Sequence, residues 1–120
     1  MGANNAVGVY GERVAARMLT DHGLEVLDRN WRCAAGEIDL VALDRAADEI
    51  VFVEVKTRRG ATYGHPAEAV TRIKLARLRR LAGQWLAEHD VHAGGVRLDV
   101  VAILARCPGP ALVEHLRGVS

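Results

Sequence analysis

The amino-acid sequence predicts an α/β protein in which helices flank a mixed β-sheet, with the element order α-β-β-β-α-β-β. Residues 36–56 combine β-branched and aromatic residues, period-two alternation and a polar connection, which indicates a β-hairpin. A long amphipathic segment separates this hairpin from a nearly continuous apolar run near the C-terminus. Because a helix between two strands forms a crossover, at least one pair of strands is expected to be parallel.

The first element is a helix from about residue 5 to residue 22, with an asparagine cap and with Gly23 as a left-handed stop. Its apolar arc is expected to face the sheet, whereas Arg13 and Arg17 lie on the opposite arc. Glu12 falls inside the apolar arc. Two interpretations of Glu12 are open: a first-turn acid that the helix dipole favours and that reaches water, or a carboxylate delivered to the sheet.

A weaker strand follows from Leu24 to Arg32, and its many polar residues suit an edge strand or a strongly bent one. Arg29, Asn30 and Arg32 could contact phosphates, because side chains of these types bind the nucleic-acid backbone. Trp31 could stack on a base, but it fits a core position equally well.

Charged residues occupy positions within the hairpin where a core strand should be apolar. Alternate residues of a strand share a face. One face of the first hairpin strand is therefore expected to carry Glu37, Asp39, Val41 and Leu43. On the second strand, Glu54 and Lys56 are expected to share a face with Phe52, while the neighbouring valines take the other face.

Burying an isolated carboxylate or ammonium group is costly, so such groups are normally paired, neutralised or bound to a metal. A pair of Glu54 and Lys56 on a solvated sheet face is the simplest explanation. Asp39 on the neighbouring strand supports another one. Two carboxylates beside a lysine are what a magnesium-dependent phosphodiester hydrolase needs, namely hard oxygen ligands and a cation next to the attacking water.

Glycines and a proline punctuate residues 57–66, which predicts a loop that leaves the end of the second hairpin strand. Loops at such positions often carry function, although a solvated basic loop is the alternative. The loop offers the following candidates for holding a phosphate backbone: Arg58, Arg59, Tyr63 and His65. His65 is also a candidate catalytic base.

Pro66 suits a helix start and leads into a long helix from about Thr71 to Glu88. Its leucines and Trp85 form an apolar arc that should pack on the sheet. Lys74 falls within this arc near the helix start, from which it could reach the active face or extend to water. The solvent side could contact DNA or simply be solvated, and it carries Arg72, Arg77, Arg79 and Arg80.

The run from Val96 to Ala105 is nearly all apolar and predicts a central strand. Arg97 and Asp99 share one face of that strand. After a turn rich in proline and glycine, residues 111–116 predict a short final strand.

The chain has 120 residues, 50% of them hydrophobic, and a formal net charge of +1. These values favour one domain over residues 1–120 and exclude a strongly basic nucleic-acid binder, so any basic surface must be local. No apolar run has transmembrane length and no signal-peptide pattern opens the chain, which favours a cytoplasmic protein without a membrane partner. Cys33 and Cys107 lack the spacing of a zinc site or a disulfide framework.

Four motifs, in the same order, resemble the small bacterial YraN-like family, whose function is poorly defined. They are Gly-Glu-Arg-Val-Ala-Ala from Gly11, Gly-Glu-Ile-Asp-Leu-Val from Gly36, Val-Phe-Val-Glu-Val-Lys-Thr-Arg from Val51 and Gly-His-Pro-Ala-Glu-Ala-Val from Gly64. That family looks like a member of the restriction-endonuclease-like PD-(D/E)xK superfamily and is similar to archaeal Holliday junction resolvases. The resemblance covers residues 8 to 104 approximately, and it implies a restriction-endonuclease-like sheet flanked by helices.

The superfamily pattern has an aspartate and then Glu or Asp followed by x-Lys, after a glutamate on an N-terminal helix. Matched to this sequence, the resemblance implies that Asp39 and Glu54 bind Mg²⁺, with Mn²⁺ as a substitute. The carbonyl of Val55 would add an oxygen ligand, and Glu12 would complete the acidic cluster directly or through water. Lys56 would orient or activate the attacking water.

The resemblance implies a metal-dependent DNA endonuclease, with branched or damaged DNA as the suggested substrate. Ile38 replaces the proline of the pattern, and the pattern gives Glu37 no fixed role. The residues expected to bind the nucleic acid are Arg58, Arg59, Lys74 and Arg32. Symmetric cleavage of a four-way junction would require a homodimer. The alternatives are a DNA-binding or protein-interaction module that keeps the nuclease fold without turnover, and a structural ion-pair network.

Overall fold

In a computed structural model the chain forms a five-stranded sheet with one helix on each face. The structure describes residues 3–59, 71–105 and 109–119. The elements are α1 (Ala3–Asp21), β1 (Glu25–Cys33), β2 (Gly36–Asp44), β3 (Glu49–Arg59), α2 (Arg72–Glu88), β4 (Gly95–Ala105) and β5 (Leu112–Leu116). The predicted fold class and element order are thereby confirmed. Over the described ranges, neither helix has the length and apolar character that a membrane crossing needs.

The strands lie side by side in the order β1-β2-β3-β4-β5. Neighbouring pairs are antiparallel except β3 and β4, which run parallel. Helix α2 provides the crossover between these two strands, because parallel neighbours cannot be joined by a tight turn. The mixed sheet, the edge position of β1 and the interior position of β4 all agree with the sequence prediction.

Two apolar cores lie on opposite faces of the sheet. The core beneath α1 includes Ala15 and Leu19, which pack against Leu40 and Val53. The core beneath α2 contains Leu78, Leu81, Trp85, Ile38, Val41 and Phe52. Trp85 and Phe52 are 1% and 0% exposed and meet edge to face, with ring centroids 5.6 Å apart. The predicted apolar arc of the second helix is therefore the one that packs on the sheet.

The end of α1 and the start of α2 follow the expected signals, whereas α1 begins at Ala3, so Asn4 and Asn5, the asparagines predicted to cap it, lie inside the helix. Gly23 has φ of 87° just after α1, a conformation that residues with a side chain rarely adopt. The side chain of Thr71 caps α2 by accepting a hydrogen bond of 3.2 Å from the backbone N–H of Lys74.

The predicted loop begins later than the sequence indicates. Residues 57–59 belong to β3 and pair with Ile103, Leu104 and Ala105 of β4. Parallel pairing with a buried apolar strand extends β3 through Thr57 and its two arginines, although their polarity favours a loop. The remaining loop residues, including Tyr63, His65 and Pro66, lie outside the described residues.

A buried polar network occupies the start of β4 on the α1 face. The Arg97 guanidinium donates to both carboxylate oxygens of Asp99, at 2.9 and 3.1 Å, and also to Asp44 and Glu49. Asp99 is fully buried, and its Oδ2 lies 2.6 Å from Nε2 of His115. The network joins the β2–β3 turn to β4 and β5, and it bears out the predicted shared face of Arg97 and Asp99.

Candidate active site

Strands β2 and β3 separate where their charged residues begin. Their pairing ends at Leu40 and Val53, so Asp39 and Glu54 come directly after the last pair. The carboxylate of Asp39 replaces the missing backbone acceptor, because its Oδ2 accepts a hydrogen bond of 2.7 Å from the N–H of Val55. The end of the hairpin thus places the side chains of both acids in one opening of the sheet.

The alternation of β2 shifts near Asp39, which corrects the predicted face. Ile38 and Val41 both pack in the core beneath α2, whereas Leu40 packs beneath α1. Two residues three positions apart cannot share a face in a regular strand. Glu37 and Asp39 therefore do not share one uninterrupted face with Val41 and Leu43, since the strand is irregular where the ladder ends.

Asp39 and Glu54 form a close pair of acids. Burial raises the pKa of Asp39 to about 7, with further contributions from the charge of Glu54 and from a side-chain hydrogen bond with it. The hydrogen bond from Val55 acts in the opposite direction but does not offset them. Two acids this close cannot both ionise at low cost, so the pair favours either a shared proton or a bound cation.

Two lysines lie near the acids, one on β3 and one on α2. Nζ of Lys56 is 3.9 Å from a carboxylate oxygen of Glu54. Lys74, in the first turn of α2, lies next to Lys56, whose charge is the main reason that the pKa of Lys74 is lowered. The second helix therefore reaches the predicted catalytic strand through Lys74, as the sequence allowed.

Glu12 lines the same pocket, and its charge contributes to the raised pKa of Asp39. Burial raises the pKa of Glu12 itself, and the charge of Glu37 adds to this effect, whereas a side-chain hydrogen bond with Asn30 opposes it. Among residues 3–59, 71–105 and 109–119, no three His, Cys, Asp or Glu side chains are grouped closely enough to hold a metal together. Of the three carboxylates expected to cluster, Asp39 and Glu54 form a close pair, and Glu12 lines the same pocket farther from them.

The pocket has a volume of about 460 Å³. It is lined by Gly8, Glu12, Asp39, Glu54, Val55, Lys56 and Thr57. Close packing of α1 on β3 forms one wall, because a Cβ added to Gly11 would overlap the hydroxyl oxygen of Thr57. A Cβ at Gly8, one turn earlier, would meet no atom within 4 Å.

The predicted phosphate-binding residues differ in their placement. Arg32 is exposed and donates to Glu37 at 2.8 Å. Arg58 lies on β3, two residues beyond Lys56 and so on the same face by strand alternation. Arg59 ends β3, and its side chain lies outside the described part of the structure. The arginines of α2, Arg72, Arg77, Arg79 and Arg80, are exposed.

Trp31 serves as a core residue rather than a free stacking ring. It packs against the core beneath α2 and meets His89 edge to face, with centroids 6.5 Å apart. Asn30, its neighbour, has φ of 52°, a left-handed conformation that asparagine tolerates well.

Three residues gain importance only in three dimensions: Gly11, Asn30 and Thr57. The sequence could have indicated a close contact at Gly11, because a glycine inside a helix destabilises it by about 1 kcal/mol relative to alanine. Such a glycine often has a packing reason. Nothing in the sequence pairs Asn30 with Glu12.

Comparison with known proteins identifies the family. The model of "Uncharacterised protein family UPF0102" matches residues 11–103. A UPF0102 protein of Beutenbergia cavernae is 65% identical over 120 residues, which are 100% of both chains. One of Kineococcus radiotolerans is 60% identical over 98% of this chain and 96% of its own. Another, of Frankia casuarinae, is 53% identical over 98% of each chain.

The matched span contains the acid pair, Lys56, Lys74 and Glu12, so the candidate site lies within the part that defines the relationship. The predicted membership of an uncharacterised bacterial family is confirmed, and the chain belongs to UPF0102.

Proposed function

We propose that this protein is a metal-dependent endonuclease that hydrolyses phosphodiester bonds in DNA. The observation that carries the proposal is the close pair of Asp39 and Glu54, partly buried in an open pocket with Lys56 beside it. A fold gains no stability from two adjacent acids of which one resists ionisation near neutral pH. Such a pair is better explained by a cation that the pocket is built to receive.

The donor set fits a magnesium ion. Mg²⁺ prefers oxygen ligands, keeps several waters and is commonly held by one or two carboxylates together with substrate phosphates. Asp39 and Glu54 supply the carboxylates, and a pocket of about 460 Å³ leaves room for waters and a phosphate. The carbonyl of Val55 would be a further oxygen ligand. Mn²⁺ accepts the same oxygen donors and should substitute.

The chain's own residues would position the reactants. When bound, the metal would polarise the phosphate and lower the pKa of a coordinated water. Lys56 would hold the attacking water or contact a phosphate oxygen, and Lys74 beside it would balance the charge of a second phosphate oxygen. Glu12 would hold a metal-bound water rather than the metal itself. Hydrolysis forms a bond from the water oxygen to phosphorus, breaks the bond to the leaving sugar oxygen and protonates that oxygen.

Branched or damaged DNA is the proposed substrate class, and a homodimer is proposed for symmetric cleavage of a four-way junction. Two active sites would then act on opposite strands. Size-exclusion chromatography with light scattering, with and without junction DNA, tests this part. A protein that stays monomeric with the junction bound would contradict symmetric cleavage but not the hydrolytic activity.

A second candidate function is a DNA-binding module without turnover. The observation that favours it is that, among the residues that the structure describes, Glu12 does not complete a group of three carboxylates with the acid pair. A site short of one ligand can retain the fold and the binding surface without supporting hydrolysis.

The deciding experiment incubates wild type, Asp39→Asn and Lys56→Met with labelled linear, flapped and four-way-junction DNA. Magnesium, manganese or chelator is added in parallel. We expect cleavage by wild type and by the control variant, lost with chelator and lost in Asp39→Asn and Lys56→Met. Glu25→Gln is the matched control, because Glu25 is an exposed carboxylate that pairs with Arg45 and does not line the pocket. Junction binding without cleavage in any lane would favour the second candidate.

A further inference from the structure

A second groove lies between α1 and β1. Its volume is about 320 Å³, and it is lined by Arg13, Ala16, Arg17, Thr20, Asp21 and Arg29. Three arginines and one aspartate thus line this groove, in a chain whose formal net charge is only +1. The groove is therefore a local concentration of positive charge, and it is separate from the arginines of α2.

These three arginines differ from several others in the protein in how their side chains are engaged. Arg32, Arg45 and Arg97 each donate to a carboxylate. Within the described residues, the structure gives the side chains of the three groove arginines no hydrogen bond or ion pair. All three are exposed. Their donors are available to an external anion, and planar guanidinium groups suit phosphate oxygens particularly well.

The groove and the acidic pocket are lined by neighbouring residues of the chain. Glu12, which lines the pocket, immediately precedes Arg13 on α1, and Asn30 immediately follows Arg29 on β1. Glu12 and Asn30 also interact with each other across α1 and β1. A ligand that leaves the acid pair on this side would therefore meet arginines next.

The spacing of the arginines suits a repeated anion. Arg13 and Arg17 are four residues apart on α1, which places them one above the other, about 6 Å apart along the helix axis. Arg29 faces them from β1. This separation is comparable with the step between successive phosphates of a nucleic-acid strand.

We propose that the α1–β1 groove binds the sugar-phosphate backbone of the DNA strand that enters the acidic pocket. The inference rests on the proposed nuclease function for its choice of DNA. The groove would provide a second DNA-binding surface, on the α1 side of the pocket, whereas Lys74 and α2 lie on the other side. Backbone contacts on both sides would place the hydrolysed bond within a strand rather than at its end.

The test measures DNA binding by fluorescence anisotropy in chelator, so that cleavage does not contribute. The double variant Arg17→Gln/Arg29→Gln should weaken binding about tenfold at low salt, and the slope of log K against log salt should fall in steepness by about 1 to 2. Asp21→Asn should tighten binding, because it removes the carboxylate of the groove. Arg45→Gln is the matched control, as Arg45 is an exposed arginine in the β2–β3 turn that pairs with Glu25.

The outcomes separate this inference from the proposed activity. Arginine-dependent binding without magnesium-dependent cleavage would support the groove and overturn the nuclease. Cleavage by wild type with unchanged affinity and salt slope in the double variant would overturn the groove alone. Heparin bound as tightly as DNA through the same arginines would show a general polyanion surface and overturn the assignment to DNA. Wild type that does not bind DNA at low salt would overturn both.

Discussion

Replacing Asp39 with asparagine should stabilise the metal-free protein while it abolishes metal binding. Asparagine keeps an oxygen that can accept the hydrogen bond from Val55, and it removes a charge next to Glu54. The folded pKa of Asp39 is raised from 3.8 to about 7, so ionisation of this residue opposes folding at higher pH. A carboxylate that stabilises the fold through an ion pair behaves differently: its pKa is lowered, and its replacement by asparagine destabilises the protein.

The size of the effect follows from the shift in pKa. One pKa unit corresponds to about 1.4 kcal/mol, so the full shift corresponds to about 4 kcal/mol as an upper limit. Relaxation of the pocket and counterions should reduce this, and we expect a gain of about 2 kcal/mol at about pH 8, or about 6–10 °C in Tm. The folded wild type binds more protons than the unfolded chain between pH 3.8 and about 7. Its stability therefore falls as the pH rises through this range, and the advantage of the variant should shrink towards pH 4.

Thermal unfolding in chelator at several pH values measures the first effect, and repetition with magnesium measures the second. Magnesium at about ten times its Kd should stabilise wild type by about 1.4 kcal/mol and should leave Asp39→Asn unchanged. Glu25→Gln should respond to magnesium as wild type does. Asp39→Asn that is less stable than wild type at every pH, with an undiminished response to magnesium, would refute the reasoning.

Two other predictions concern packing and the polar network. Gly11→Ala should lower the free energy of unfolding by about 1–3 kcal/mol, because the added methyl group would overlap Thr57. Gly8→Ala, in open space on the same helix, should leave the free energy of unfolding unchanged or raise it by up to about 1 kcal/mol. Equal changes in Tm for the two variants would contradict the close contact. Asp99→Asn should lower the free energy of unfolding, measured with urea at neutral pH, by about 3 kcal/mol, because Arg97 loses the charge of its most buried partner. Hydrogen bonds from His115 and Arg97 lower the pKa of Asp99 despite its burial, so its charge stabilises above about pH 3.8 and the contribution is lost as the pH falls below that value. A loss that is equally large at about pH 2 would contradict this assignment.

The fold could be predicted because its signals are local. Alternating residues in β2 and β3, the apolar arc of α2 and the stop at Gly23 each depend on neighbours in sequence. The end of β3 could not be predicted, because residues 57–59 are polar and their strand conformation depends on pairing with β4. Propensity is a weak guide where a distant strand supplies the partner.

The candidate site was predictable in its members and less so in its geometry. Charges at Asp39, Glu54 and Lys56 within apolar strands were sufficient to mark an unusual cluster. The irregularity of β2 could not be predicted, because the shift in alternation occurs at Asp39, and an acid at that position does not indicate which face of the strand is apolar. The orientation of Glu12 towards Asn30 depends on the packing of α1 against β1, which no sequence period encodes.

The hydrogen bond from Val55 to Asp39 has a consequence for spectroscopy. A backbone amide that donates to a carboxylate changes its proton chemical shift when that carboxylate gains a proton or is drawn to a cation. Val55 pairs with Val101 of β4, and this pairing should hold the backbone of Val55 in a fixed position while the acceptor of its N–H group changes. A single NMR cross-peak of an isotopically labelled sample would therefore report the protonation of the acid pair and its metal loading, without any substrate present.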